Sequence, residues 1–85
     1  MYIVVEHHIS DSKKFWEIAQ GMMPNLPENL KLPSVFPAAD GSEAICLWEA
    51  DSLAAVKGFL EPAIGHVSRN DYFEVDAGNA VGLPG

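Results

Sequence analysis

The sequence predicts a single α+β domain of the ferredoxin-like kind, with a four-stranded antiparallel sheet and two helices on one face of it. The predicted element order is β-α-β-β-α-β. The 85 residues leave room for one core. Runs rich in β-branched and aromatic residues predict strands, and two runs with apolar residues on one helical face alternate with them. An Asp-Gly pair between the second and third strands is typical of a hairpin turn.

The N-terminal part of the chain contains the first strand and the first helix. Residues 2–7 are mostly β-branched or aromatic and predict strand one. Residues 12–23 predict helix one, which Ser10 or Asp11 would cap and Pro24 would end. Its apolar stripe favours core packing over a cofactor site. The stripe consists of Phe15, Trp16, Ala19, Met22 and Met23.

A hairpin forms the middle of the chain. Residues 32–39 predict strand two, and we place it at an edge of the sheet because its prolines, Pro33 and Pro37, lack amide donors. The turn is predicted at residues 40–42. Residues 43–49 form the most regular apolar run in the chain and predict strand three.

The second helix begins at a cap formed by Asp51 or Ser52, and Pro62 is expected to kink or end it. Its apolar positions again lie on one face, and Gly65 is a natural terminator. These positions are Leu53, Val56, Leu60 and Ile64. Residues 72–76 alternate between the two faces and predict strand four.

Charge and composition narrow the range of partners and locations. Five Lys and Arg against twelve Asp and Glu give a formal charge of −7, which disfavours nucleic acid and anionic membrane as partners. No apolar stretch approaches the ~20 residues that span a bilayer. No basic residue precedes Lys13 and no cleavage-site pattern is present, so we expect no secretory signal and a cytoplasmic location. The lone Cys46 is predicted to be a buried thiol.

Apolar residues on both faces of the central strands predict a homodimer. Ile3 and Val5 point to one side of strand one, and Val4 points to the other. A monomeric sheet with one solvated face would alternate between apolar and polar residues. We therefore expect a second copy to cover the open side of the sheet. The domain is predicted over residues 1–76. The tail, residues 77–85, is predicted to pack on the partner subunit.

Three segments carry a resemblance to a known family. They are residues 46–56 (CLWEADSLAAV), the pair His7-His8 and residues 72–75 (YFEV). These segments resemble small ferredoxin-like proteins of an uncharacterised family that includes nickel-responsive members from actinobacteria. More broadly, the chain is similar to the dimeric α+β barrel superfamily, which includes antibiotic-biosynthesis monooxygenases and muconolactone isomerases. The resemblance implies a homodimer with facing sheets and carries over His7 and His8 as ligands of a divalent metal such as nickel.

The predicted strand arrangement gathers polar side chains at one rim of the sheet. We expect strands one and three to be central, parallel neighbours, which places Glu6 and His7 near Glu49. Strand four, antiparallel to strand one, brings Tyr72 towards the same rim. Imidazole and carboxylate suit a divalent metal, with His7, His8 and Glu49 as ligands. Because His7 and His8 are adjacent on a strand, their side chains point to opposite faces, and both can bind one metal only if the strand bends. The same rim also suits acid–base chemistry by His7 and Tyr72, and an ordinary solvated strand end is the alternative without a function.

Three functions are consistent with these features. The first is a small homodimer that binds a small ligand or a divalent metal ion without turnover. The second is a cofactor-free monooxygenase or isomerase with an apolar pocket. That pocket would be formed by Trp16, Phe36, Trp48 and Phe73. The third is a regulatory or structural dimer whose partner is another protein. The sequence contains no Gly-rich phosphate loop or paired Cys motif, which disfavours nucleotide cofactors and structural zinc.

Overall fold

The computed structural model describes residues 1–84, and it confirms the predicted order of elements and the α+β fold class. The elements are β1 (Tyr2–Ile9), α1 (Ser12–Met22), a short 3-10 helix (Met23–Asn25), β2 (Lys31–Pro37), β3 (Glu43–Glu49), α2 (Leu53–Ile64) and β4 (Ser68–Glu74). The four strands form one sheet in the order β2-β3-β1-β4, so the edge position of β2 is confirmed.

The predicted parallel pairing of β1 and β3 is wrong. The two strands are neighbours but run antiparallel, with Tyr2 opposite Glu49 and His8 opposite Glu43. Because α1 connects β1 to β2, β2 runs in the same direction as β1. The hairpin after β2 then reverses the chain. β3 must therefore run against β1. The end of β1 consequently meets the beginning of β3 and not its end.

The two faces of the sheet have different environments. Side chains on the inner face, which the helices cover, include the buried residues Ile3, Val5, His7, Ala44, Cys46 and Trp48. The core lies between this inner face and the apolar sides of the helices, where Val56, Leu60 and Ile64 are buried. The other face, here called the open face, carries Val4, Glu6, His8, Ile45 and Leu47, and no other element of residues 1–84 forms a layer over it. Alternation along the strands produces this division.

The helix ends largely follow the sequence. Asp11 caps α1, and Ser52 caps α2 by accepting a hydrogen bond from an amide three residues on (3.1 Å in both cases). Pro62 was expected to kink or end α2. It does not end the helix, which continues to Ile64. Pro62 lies in the last turn, so its missing amide removes only one hydrogen bond near an end that Gly65 closes anyway.

The hairpin between β2 and β3 forms at the predicted residues. The Asp40 carboxylate accepts hydrogen bonds from the Ser42 amide (2.9 Å) and hydroxyl (2.7 Å). Gly41 adopts a φ of 79°, a conformation that residues with a Cβ rarely adopt. The turn therefore fixes the register in which β3 pairs with β2.

β4 begins at Ser68, four residues before the predicted start at residue 72. Residues 68–71 (SRND) are polar and carry no apolar alternation, which is why the sequence predicts a loop there. They nevertheless extend the ladder with β1, where Asn70 lies opposite His7 and Arg69 opposite His8. This longer pairing brings polar side chains of β4 to both faces of β1.

The tail after β4 folds back on its own chain. Asp76 organises a turn by accepting hydrogen bonds from the Gly78 amide (3.0 Å) and the Asn79 side chain (2.6 Å). Further on, the Pro84 carbonyl accepts a hydrogen bond from the Tyr2 hydroxyl (3.1 Å). The last residue of the predicted tail, residue 85, lies outside the described residues.

Candidate functional site

An apolar cavity lies between the inner face of the sheet and the helices. It offers about 20 Å³ to a water-sized molecule and about 390 Å³ when the gaps along its walls and the solvent at its mouth are included. Its lining consists of His7, Phe15, Trp16, Ala19, Met22, Met23, Leu26, Leu32, Val35, Cys46, Trp48, Leu60 and Ile64. Almost all of these side chains are apolar, so the few polar atoms among them determine what the cavity can recognise.

His7 is the one basic side chain in this lining. It is an inward-pointing residue near the end of β1, and only 2% of its surface is exposed. Its Nδ1 lies 2.6 Å from the Oδ1 of Asn70, and its ring meets the Phe15 ring edge-on at 5.1 Å. The burial of His7 lowers the pKa of the imidazole, because the charged form would lose its hydration.

Three other side chains orient Asn70 by hydrogen bonds. Its amide group donates to the Glu61 carboxylate (2.8 Å), and its Oδ1 accepts from the Ser68 hydroxyl (2.8 Å). The same oxygen faces His7 Nδ1, so that nitrogen must carry the proton and donate it. The neutral ring therefore keeps Nε2 as a hydrogen-bond acceptor.

Tyr72 joins this network from the next inward position of β4. Its hydroxyl donates to the Glu61 carboxylate at 2.5 Å. Burial and the neighbouring carboxylate raise the pKa of Tyr72, and the same hydrogen bond lowers the pKa of Glu61. The structure thus brings the predicted acid–base pair, His7 and Tyr72, into one network through Asn70 and Glu61. The Tyr72 side chain does not line the cavity.

Trp48, a residue of the cavity lining, carries an unpartnered polar atom. The side chain is 2% exposed, and its indole nitrogen is the only buried side-chain N or O atom in residues 1–84 that lacks a hydrogen-bond partner. Buried donors are normally paired, because an unpaired one loses its hydration without compensation. The Trp48 indole N–H is therefore a donor that no acceptor within residues 1–84 satisfies.

Two of the four predicted pocket aromatics line the cavity. Trp16 reaches it from α1 and Trp48 from β3. The prediction is wrong for Phe36 and Phe73, which lie on the open face with 67% and 49% of their surface exposed. The sequence did not show which face of the sheet these two side chains occupy. Phe36 follows an irregularity in the register of β2, and Phe73 lies in a strand whose start differs from the predicted one.

The predicted metal ligands do not lie together. His7 points to the inner face and His8 to the open face, as neighbouring residues of a strand must. Glu49 lies at the other end of the sheet, opposite Tyr2, because β3 is antiparallel to β1. The predicted set His7, His8 and Glu49 is therefore wrong as a single site.

A different cluster forms around His8 on the open face. Ligand atoms of Glu6, His8 and Asp71 lie within 4.8 Å of one another. The His8 ring also contacts the Glu43 carboxylate through Nδ1 (3.2 Å) and the Asp71 carboxylate through Nε2 (3.2 Å). Arg69 lies 3.8 Å from Asp71 and balances part of this negative charge. One imidazole among carboxylates is a donor set that divalent metals accept.

Sequence reasoning missed Glu61, Asn70 and Asp71 as site residues. The missing signal was the length of β4: if the strand is extended to residue 68, then Ser68, Asn70 and Tyr72 share one face by alternation. Glu61 could not be found this way, because its position depends on how α2 packs across β4.

Cys46 lines the cavity as an unreactive thiol. The side chain is buried, and burial raises the pKa of the thiol to about 12. A nucleophilic cysteine needs a lowered pKa, which usually comes from a nearby positive charge or a helix N-terminus. Cys46 therefore acts as a small apolar residue of the wall.

No protein-family model, curated protein or solved structure matches this chain in the three comparisons. Neither helix of residues 1–84 is long and apolar enough to cross a membrane. The resemblance to the nickel-responsive family thus stays a prediction, and the functional argument must come from the geometry above.

The burial of His7 predicts a pH-dependent stability. Below the unfolded pKa of about 6.5, the His7 imidazole binds a proton in the unfolded chain but stays neutral in the folded chain. The free energy of unfolding should therefore fall with pH from about 6.5 down to the lowered folded pKa, by at most about 1.4 kcal/mol per pH unit. Above about 6.5 both states hold a neutral ring and the effect vanishes.

Urea unfolding at stepped pH measures this slope, and NMR titration of the His7 ring measures its folded pKa. The window lies above the range in which carboxylates such as Glu61 titrate, since the pKa of Glu61 is itself lowered. In a His7→Phe variant the slope above pH 5 should shrink. A His7 ring that titrates at or above 6.5 in the folded protein would show that the burial argument is wrong.

Proposed function

We propose that the protein is a homodimer that binds a small, mainly apolar molecule in the cavity beneath its helices, without turnover. The observation that carries this proposal is the buried Trp48 indole N–H, which has no partner within residues 1–84 and belongs to an otherwise apolar wall. A buried donor without a partner costs about 1–3 kcal/mol. A bound molecule with an acceptor atom would remove that penalty.

Binding without turnover is favoured over a cofactor-free monooxygenase or isomerase. The hydroxyl of Tyr72, the expected hydrogen-bond donor for such chemistry, donates to Glu61 and does not line the cavity. The thiol of Cys46 has a raised pKa. His7 is then the one group of the wall suited to proton transfer, and it has no acid or base partner facing the same space.

Access to the cavity is favoured by a flexible wall. Met22, Met23 and Leu26 lie where α1 ends, and 41% of the Met23 surface is exposed. Methionine has three rotatable side-chain bonds and adapts its shape easily. Because the unoccupied cavity has room for about one water molecule, a ligand larger than water must displace these side chains.

We expect 4-methylacetophenone, an apolar molecule with one carbonyl acceptor, to bind in this cavity and to shift the Trp48 indole N–H resonance in NMR spectra. An Ala19→Met variant, which fills the cavity from α1, should weaken binding about tenfold or more in isothermal titration calorimetry, a loss of about 1.4 kcal/mol. The matched control is Ala54→Met on the exposed side of α2, which should bind like the unaltered protein. Equal affinity in both variants would place the binding elsewhere.

The homodimer is supported by the apolar residues that the open face exposes. Val4 and Leu47 pair across β1 and β3 at its centre, and Ile45, Phe36 and Phe73 surround them with 45%, 67% and 49% of their surface exposed. Four strands spaced about 4.8 Å apart make this face roughly 20 Å wide, and seven residues make it roughly 23 Å long. Exposed apolar patches of a few hundred square ångströms often mark an interaction site.

We expect the purified protein to run as a dimer in sedimentation equilibrium, and Ile45→Lys to shift it to a monomer by placing a charge in the apolar face. The control is Met23→Lys, a substitution at a similarly exposed apolar side chain on the helical side. Circular dichroism verifies that both variants are folded. A dimer that survives Ile45→Lys, or a monomeric unaltered protein, would contradict the open-face dimer.

Divalent metal binding is the second candidate, and the cluster of Glu6, His8 and Asp71 favours it. The contact of His8 Nδ1 with Glu43 leaves Nε2 directed towards Asp71, an arrangement in which a carboxylate orients a ligand imidazole. Imidazole together with carboxylate suits Ni²⁺ or Zn²⁺ more than Mg²⁺. This cluster replaces the ligand set predicted from the sequence, with His8 as the common member.

Calorimetry of the tag-free protein with NiCl₂ tests the metal candidate. His8→Asn should abolish the binding heat, and Glu43→Gln should weaken binding about tenfold because it removes the orienting carboxylate. Glu49→Gln is the matched control and should leave the affinity unchanged, since Glu49 lies opposite Tyr2 at the far end of β1. Absence of heat with the unaltered protein at micromolar concentration would remove the metal candidate.

A further inference from the structure

The residues that line the cavity include one with an unpartnered hydrogen-bond donor and one with an unpartnered acceptor. The donor is the Trp48 indole N–H, which is buried and unpartnered within residues 1–84. The acceptor is His7 Nε2, because Asn70 fixes the proton of the neutral ring on Nδ1. No hydrogen bond to Nε2 is formed within the described part of the chain, so this lone pair is also available.

The two residues lie in different rows of the sheet. His7 lies opposite Ala44 in the β1/β3 ladder, whereas Trp48 lies opposite Ile3. Four residues of strand separate these two rows, which corresponds to roughly 13 Å between their Cα atoms at about 3.3 Å per residue. Val5 and Cys46 occupy the row between them and keep the middle of the cavity apolar.

The lining contains no side chain that could neutralise a charged ligand. It includes no Lys, Arg, Asp or Glu, and its one imidazole is held in a buried, apolar setting. A charged group in such surroundings would lose its hydration without gaining a partner of opposite charge. Neutral ligands are therefore strongly favoured over carboxylates and ammonium ions.

We infer that the cavity selects an elongated neutral molecule with an apolar middle, a carbonyl-type acceptor at the Trp48 end and a hydroxyl donor at the His7 end. This inference rests on the proposed ligand-binding function and specifies its ligand class. Asn70 is a positioning residue in this scheme, because it sets the tautomer with which His7 meets the hydroxyl. Aromatic or alicyclic hydroxy ketones have this combination of groups.

Four probes of nearly the same shape separate the two polar contacts from apolar packing. They are 4-hydroxyacetophenone, 4-methylacetophenone, 4-ethylphenol and 4-ethyltoluene, which carry both groups, the acceptor alone, the donor alone and neither. Calorimetry with the unaltered protein should rank 4-hydroxyacetophenone first and 4-ethyltoluene last. Each group should contribute about fivefold or more in affinity, as a buried hydrogen bond does.

Two variants assign each contribution to its residue. Trp48→Phe should abolish the preference for a carbonyl over an ethyl group and keep the preference for hydroxyl over methyl. His7→Phe should do the reverse. Asn70→Leu should reduce only the hydroxyl preference, and NMR of the His7 ring should then report a mixture of tautomers, a change that a purely structural role would not produce.

The possible outcomes distinguish this inference from the function on which it rests. If all four probes bind with equal affinity, the ligand class is wrong while the proposed apolar binding stands. If none binds, the proposed function itself fails. If benzoate or another anion binds better than 4-hydroxyacetophenone, the argument from the uncharged lining is overturned. The measurements on the unaltered protein decide these cases even if a variant does not fold.

Discussion

The alternation of side chains along β1 is the constraint on which the rest of the structure depends. β1 lies between β3 and β4, so each of its side chains must be accommodated either in the core or on the open face. Ile3 and Val5 fill the core without further requirements. His7 is forced into the same row, and its polar ring requires a partner that β4 supplies through Asn70. The inner network of His7, Asn70 and Glu61 follows from that placement.

The direction of β3 determines which chemistry the sheet can assemble. An antiparallel β3 brings Glu43 to His8 and removes Glu49 to the opposite end. β4, also antiparallel to β1, supplies Asp71 on the same side. The open face thus separates into an apolar centre and a corner of carboxylates around one imidazole, so dimerisation and metal binding would use different parts of one surface.

The small size of the chain connects the two proposals. A domain of 85 residues buries a modest fraction of its surface, and its few large apolar side chains are divided between the inner face and the open face. Trp48 is placed inside although its N–H finds no partner, whereas Phe36 and Phe73 stay exposed. The unsatisfied donor and the exposed phenylalanines are the observations on which the proposed ligand binding and the proposed dimer rest.

The sequence by itself determined the elements, because apolar periodicity, the caps at Asp11 and Ser52 and the Asp40-Gly41 turn are local properties. It also determined that His7 and His8 face opposite sides, since strand alternation needs no tertiary information. Only the tertiary structure decided which carboxylates meet them. That outcome depends on strand direction, on the extra pairing of residues 68–71 and on the packing of α2, which carries Glu61 to Asn70. These are relations between segments distant in sequence, and the local pattern of residues does not encode them.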